Sequence, residues 1–198
     1  MNPAPADSAG FVLAGGRSSR LGRDKALLEI GGRSLLERVA EAVREAAGSV
    51  TLVGNPELYG RLGYEVIPDP VAGAGPLAGI AAALERSRAE WNLVVACDLP
   101  EITAGFLSAL LYRAAASPAD CCLPAGPSGL PEPLCAAYRK RCLPAIRSAL
   151  DRGVRKVTEG LAGLALELWK IPDISPLRNI NTREEWESYL RYSGNRAR

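Results

Sequence analysis

The chain has 198 residues, of which 47% are apolar and 23% charged, proportions that support a buried core and exclude a disordered or fibrous chain. With 24 basic and 22 acidic residues the formal charge is only +2, too balanced to point to a nucleic-acid or membrane surface as a partner. No long polar linker divides it, so one domain is expected over 10–192, between flexible tails at 1–9 and 193–198.

Phe11-Val12-Leu13-Ala14 is a continuous apolar run ended by Gly15-Gly16, which predicts a strand buried on both faces. A loop follows. Leu35, Leu36, Val39, Ala42, Val43 and Ala46 recur at helical spacing behind a Ser34/Glu37 capping box. Strands are expected at 49–53 and 65–67, the second closed by Pro68-Asp69-Pro70. A helix over 77–84, with Pro76 at its first turn, leads to a buried strand at 91–97 that ends at Asp98. Thr103 caps a helix to about 115, strands are expected near 120–123 and 134–138, and Pro144 opens a helix to 151. An extended segment at 164–171 precedes a second capping box, Thr182/Glu185, and a last helix carrying Trp186, Tyr189 and Leu190 on one face.

Strands alternating with helices predict a single-domain, Rossmann-like three-layer α/β/α fold with a mostly parallel sheet. Ligands of such sheets bind at the carboxyl ends of the strands. Gly15-Gly16, Gly54-Asn55, Asp69 and Asp98 each follow one of the first four strands. The five cysteines have no C-x-x-C spacing and the chain has no His, which argues against zinc and for small buried thiols. No leader pattern opens the sequence and no apolar run has spanning length, so a reducing cytoplasm is expected.

The stretch 13–25, LAGGRSSRLGRDK, joins a buried strand to a loop of glycines, hydroxyls and cations. Glycines admit phosphate oxygens to backbone N–H groups, and Arg20 and Lys25 offset polyphosphate charge. It is neither of two well-known phosphate loops. Gly15 and Gly16 are adjacent, against G-x-G-x-x-G, and five residues rather than four separate Gly16 from Gly22, against the P-loop. Asp98, opposite this loop, suits a divalent-metal ligand. With no His, a Ser-His-Asp hydrolase is excluded.

The run L-A-G-G-x-S-x-R-x-G-x-D-K resembles the signature of the molybdenum cofactor guanylyltransferases, within the larger group of nucleotidyltransferases. Gly75-Pro76-Leu77-Ala78-Gly79, Cys97-Asp98-Leu99-Pro100 and Asn179-Ile180-Asn181-Thr182 resemble the same family in the same order, and the middle stretch Glu132-Pro133-Leu134-Cys135-Ala136-Ala137-Tyr138 is similar as well. The resemblance implies transfer of GMP from GTP to molybdopterin with Mg²⁺ as cofactor, in company with proteins of molybdoenzyme maturation. It implies Arg20, Lys25 and Asp98 as catalytic residues, with Asp98 on the metal. It further implies GTP contacts from Leu13, Ala14, Gly15, Gly16, Lys25, Asn55, Asp69, Gly75, Gly79 and Asp98. Asn179 and Asn181 match residues on the pterin side, where Arg155 and Lys156 are expected to add cations for the acceptor phosphate. Gly15 favours guanine, because the cytosine-using relatives carry a second Ala there and a Cβ would take room from a purine. A cytidylyltransferase of the same fold and a nucleotide- or pterin-binding carrier without turnover are the alternatives.

Overall fold

Alternation along each strand sends neighbouring side chains to opposite faces, and both faces are covered. The computed structural model describes residues 7–15, 24–69 and 75–196. Its strands are β1 (Ser8–Leu13), β2 (Glu29–Ile30), β3 (Arg33–Ser34), β4 (Thr51–Val53), β5 (Glu65–Ile67), β6 (Trp91–Ala96), β7 (Cys121–Ala125), β8 (Cys135–Arg139) and β9 (Leu166–Lys170). Its helices are α1 (Leu35–Ala47), α2 (Pro56–Tyr59), α3 (Pro76–Arg86), α4 (Ala104–Ala115), α5 (Leu143–Asp151), α6 (Val157–Gly160) and α7 (Arg183–Arg196). Val12, Leu93, Val95 and Ala137 pack against α1 and α4 on one face of the sheet. Phe11, Val94, Leu123 and Tyr138 pack against α3 and α5 on the other.

The sheet runs β5-β4-β1-β6-β8-β7-β9, with β2 and β3 in a separate hairpin. All neighbours are parallel except the two that involve β8. The connection from β7 to β8 is too short for a crossover helix, so the chain returns antiparallel. The carboxyl ends of the six other strands therefore share an edge with the start of β8. The expected three-layer, mostly parallel α/β/α fold is the one observed.

Local chemistry accounts for the boundaries. Ser34 and Glu37 form the complete capping box of α1, and Thr103 Oγ1 accepts from Phe106 N–H at 3.2 Å to cap α4. Strand β1 starts at Ser8, which pairs with Trp91, so Ser8 and Ala9 lie in the sheet rather than in a tail. At the other end α7 continues to Arg196, past the expected fraying point at residue 193. The β2–β3 hairpin falls where only a loop was expected. Gly31 and Gly32 take φ of 59° and 79°, the positive values a two-residue primed turn demands.

Three backbone hydrogen bonds carry the sheet past the strand ends and into the site. Ala14 N–H donates to Val53 O at 2.8 Å, Gly54 N–H to Ile67 O at 2.9 Å and Cys97 N–H to Leu13 O at 3.1 Å. The first brings Gly54 so close to β1 that a Cβ there would lie 2.1 Å from Ala14 O and 2.8 Å from Tyr59 Cε2. Neither the carbonyl nor the buried ring has room to yield. Gly54→Ala is expected to lower stability by about 1–3 kcal/mol, as overpacking does. Urea denaturation of the variant beside the parent measures it.

Candidate active site

Three segments distant in sequence meet at the carboxyl edge of β1 and β6. Asp98 lies in the turn after β6, held by buried Leu99 and Ile102, whose N–H donates to Leu99 O at 3.2 Å. Lys25 opens a short 3-10 turn whose N-cap is Asp24. Its Nζ donates to Asp98 Oδ2 at 2.6 Å and to Asn181 Oδ1 at 3.3 Å. Asn181 is brought there by its neighbour, since Ile180 N–H donates to Asp98 O at 3.1 Å. The second carboxylate oxygen, Asp98 Oδ1, is buried without a hydrogen-bond partner.

Lys25 is positioned from behind. Asp24 Oδ1 accepts from Ala26 N–H at 3.0 Å, and Asp24 Oδ2 accepts from the Tyr59 hydroxyl at 2.6 Å. Burial, then the hydrogen bond to Asp24, pushes the Tyr59 hydroxyl far above the ordinary tyrosine range, so it stays protonated and donates. Cys97 is also barred from chemistry: burial raises its thiol well above the usual value, and Asp98 raises it further.

On the far side, Thr182 and Glu185 close the expected capping box of α7. Thr182 Oγ1 accepts from Glu185 N–H at 3.1 Å, while Glu185 Oε2 accepts from Thr182 N–H at 3.1 Å and Asn181 N–H at 2.6 Å. Those two backbone donors hold the Glu185 carboxyl below its usual range. Asn181 thus gives the cap its main chain and keeps its amide for Lys25. A cavity of about 480 Å³ opens beside it, lined by Pro100, Glu101, Arg178, Asn179, Ile180 and Tyr189 among others.

Residues 10–166 match the family described as the MobA-like NTP transferase domain. The chain belongs to this family. A protein of Nostoc sp. named "Probable molybdenum cofactor guanylyltransferase" is 36% identical over 181 residues, 88% of this chain and 86% of its own length. One of the same name from Pelotomaculum thermopropionicum is 41% identical over 153 residues, 77% of this chain and 73% of its own. Among solved structures, "Molybdopterin-guanine dinucleotide biosynthesis protein A" from Archaeoglobus fulgidus superimposes with a TM-score of 0.81 at 25% identity, covering 94% of this chain and 99% of its own. The chain is a nucleotidyltransferase.

The sequence-expected residues differ in what surrounds them. Lys25, Asp98 and Asn181 are joined directly, with Leu13 and Ala14 tied to them through β6 and β4. Asn55, Gly75, Gly79, Arg155 and Lys156 have structural contacts of their own. Asn55 Oδ1 accepts from Glu57 N–H at 2.9 Å as the N-cap of α2. A Cβ at Gly79 would sit 3.2 Å from Leu13 Cδ2, so this glycine lets α3 lie close on β1. Gly75, at φ 83°, leads into α3. Arg155 Nη1 donates to Leu150 O at 3.2 Å and Val154 O at 3.1 Å, and Lys156 pairs with Glu159 at 3.6 Å. Asp69 follows β5. Gly16 and Arg20 lie outside the described residues.

Two residues were not singled out from the sequence. Tyr59 supports Asp24 from a helix too short to show periodicity. Glu132 is half-buried, and burial, then the charge of Asp98, raises its carboxyl above the ordinary range. Tyr59→Phe is expected to lower stability by about 1–2 kcal/mol, the loss of a hydrogen bond to a charged acceptor. The urea midpoint of the variant, with its ring packing intact, checks this.

Proposed function

We propose that this nucleotidyltransferase transfers GMP from GTP to molybdopterin and releases pyrophosphate. The observation that carries the reading is the junction of Lys25, Asp98 and Asn181 beside the end of β1. An ammonium and a carboxylate joined beside the end of β1 are what the triphosphate of GTP and its divalent ion would need there, which supports the reading. The names of the relatives supply guanine and the molybdenum cofactor, and the space beside Gly15, where a Cβ would meet nothing within 4 Å, is compatible with a purine.

The residues fit a divalent ion, Mg²⁺ in this reading, because Asp98 Oδ1 is a buried anionic acceptor left without a donor. Bound there, the ion supplies neutralisation of phosphate charge. The rest belongs to the protein. An acceptor phosphate is anionic near neutral pH and needs no general base to attack the α-phosphorus. Catalysis then rests on alignment and on cations that hold the α-phosphate and the departing pyrophosphate. Lys25 exchanges Asp98 for phosphate oxygens, with Arg20 as a second cation and Leu13, Ala14, Gly15 and Gly16 as backbone contacts. Asn55, Asp69, Gly75 and Gly79 border the nucleotide.

Asn179 and Asn181 face the acceptor. Arg155 or Lys156 meets its phosphate, the first by leaving the carbonyls of Leu150 and Val154 and the second by leaving Glu159. The five free cysteines, all buried, suit a reducing cytoplasm. No helix among the described residues is long and apolar enough to cross a membrane.

Calorimetry with Mg²⁺ present is expected to give GTP a dissociation constant at least about tenfold below those of CTP and ATP, a preference of about 1.4 kcal/mol. Gly15→Ala should reduce that preference without lowering the thermal midpoint, since its Cβ meets no atom of the described residues within 4 Å. Equal affinity for CTP would return the reading to a cytidylyltransferase. Asp98→Asn is expected to slow pyrophosphate release in the presence of acceptor by about 10²-fold or more while the protein stays folded. A parent protein that binds GTP and acceptor but releases no pyrophosphate is a carrier instead.

A further inference from the structure

The antiparallel return of β8 brings a second carboxylate to Asp98. Val95 pairs with Cys135, and one step further Ala96 N–H donates to Leu134 O at 2.7 Å. Beyond that pair, Asp98 follows the end of β6 and Glu132 precedes the start of β8 across a turn, both at the same edge of the sheet, and the Glu132 carboxyl feels the charge of Asp98. The Glu132 main chain is tied on each side: its N–H donates to Pro124 O at 2.9 Å and its carbonyl accepts from Cys135 N–H at 3.2 Å. The turn is therefore fixed by the main chain, without help from the Glu132 carboxylate.

The charges at this point are unbalanced. Lys25 engages Asp98 Oδ2 alone, leaving Oδ1 buried and without a hydrogen-bond partner. Among the described residues no cation pairs with the Glu132 carboxylate, which is half-buried and repelled by Asp98. Two carboxylates that feel each other in a partly dry region, of which only Asp98 is paired with Lys25, have room for further positive charge. A pair is also the donor set a small hard cation takes when substrate phosphates and water complete its shell. No larger cluster of metal-ligating side chains exists among the described residues.

We propose that Glu132 is the second carboxylate of the divalent-ion site, binding the ion together with Asp98. This rests on the nucleotidyltransferase reading given above. It also explains how the Lys25 ammonium becomes available to phosphate: the ion replaces it as the counter-charge of Asp98. Glu132 stands on the β8 side of Asp98 and the end of β1 on the other. The ion then lies between the strands that carry the nucleotide and those that face the acceptor.

The test uses Mn²⁺ as the probe, with water-proton relaxation reading its binding to the full chain in the presence of GTP, and a parallel GTP titration in EDTA. Glu132→Gln is expected to weaken Mn²⁺·GTP binding about tenfold or more, in the range lost when a metal-site carboxylate is removed. Metal-free GTP affinity should stay within about twofold, and the metal-free thermal midpoint should not fall, because a like-charge repulsion has been removed. Glu132→Ala, which keeps both main-chain hydrogen bonds, is judged by the same criterion if the glutamine variant fails to fold. Mn²⁺·GTP binding within about twofold of the parent in the folded variant, with Asp98→Asn losing it, overturns the role of Glu132 and leaves the nucleotidyltransferase reading intact. A parent protein that binds Mn²⁺·GTP no more tightly than GTP in EDTA overturns both the ion site and the part of that reading that depends on it.

Discussion

The Lys25 ammonium, set between Asp98 and Asn181, is the contact through which the rest of the site is organised. It links the loop after β1, the turn after β6 and the segment before α7, which lie 73 and 156 residues apart along the chain. The pair is only partly exposed, with 19% of the Lys25 side chain and 11% of the Asp98 side chain reaching solvent, so neither charge is fully screened by water. Removing one partner would strand the other. Anything that displaces Lys25 from Asp98 must therefore bring positive charge to the aspartate and negative charge to the lysine. A divalent ion and a polyphosphate arriving together would meet both conditions, as the proposed reaction requires.

The sheet makes that meeting possible. Parallel neighbours align the ends of β4, β1 and β6, and hydrogen bonds from Ala14, Gly54 and Cys97 extend the alignment one residue into the loops. Close approach of backbones is needed there, and two glycines provide it. Gly54 admits Ala14 O, while Gly79 admits Leu13 beneath α3. The reversal at β8 then divides the edge, with the ends of β1 and β4 on one flank and the turn before β8 that carries Glu132 on the other. One antiparallel strand thus gives the site a second wall without lengthening the chain.

Support behind the site is just as specific. Tyr59 keeps its proton and gives it to Asp24 as a hydrogen bond, and Asp24 in turn caps the turn from which Lys25 projects. On the opposite flank Glu185 collects the Asn181 and Thr182 amides, which fixes the start of α7 and frees the Asn181 side chain for Lys25. Arg155 illustrates the opposite outcome. Its guanidinium joins the carbonyls at the end of α5, where a cation offsets the exposed carbonyl dipoles.

The sequence by itself determined the layered α/β class and the helix starts, because each is written in local chemistry. Apolar runs specify doubly covered strands, and Ser34/Glu37 and Thr182/Glu185 specify caps. Short elements escaped, since α2 and the β2–β3 hairpin have too few residues for a period to register. Only the tertiary structure decided which charges meet. Strand order and direction are properties of long-range pairing, and nothing local to Glu132 says that it will stand beside Asp98, or that Arg155 will turn to α5. Spacing along the chain locates donors and acceptors one at a time. Their partners, and hence their chemistry, are set by the register of β8 on β6 and by the packing that closes the sheet's carboxyl edge.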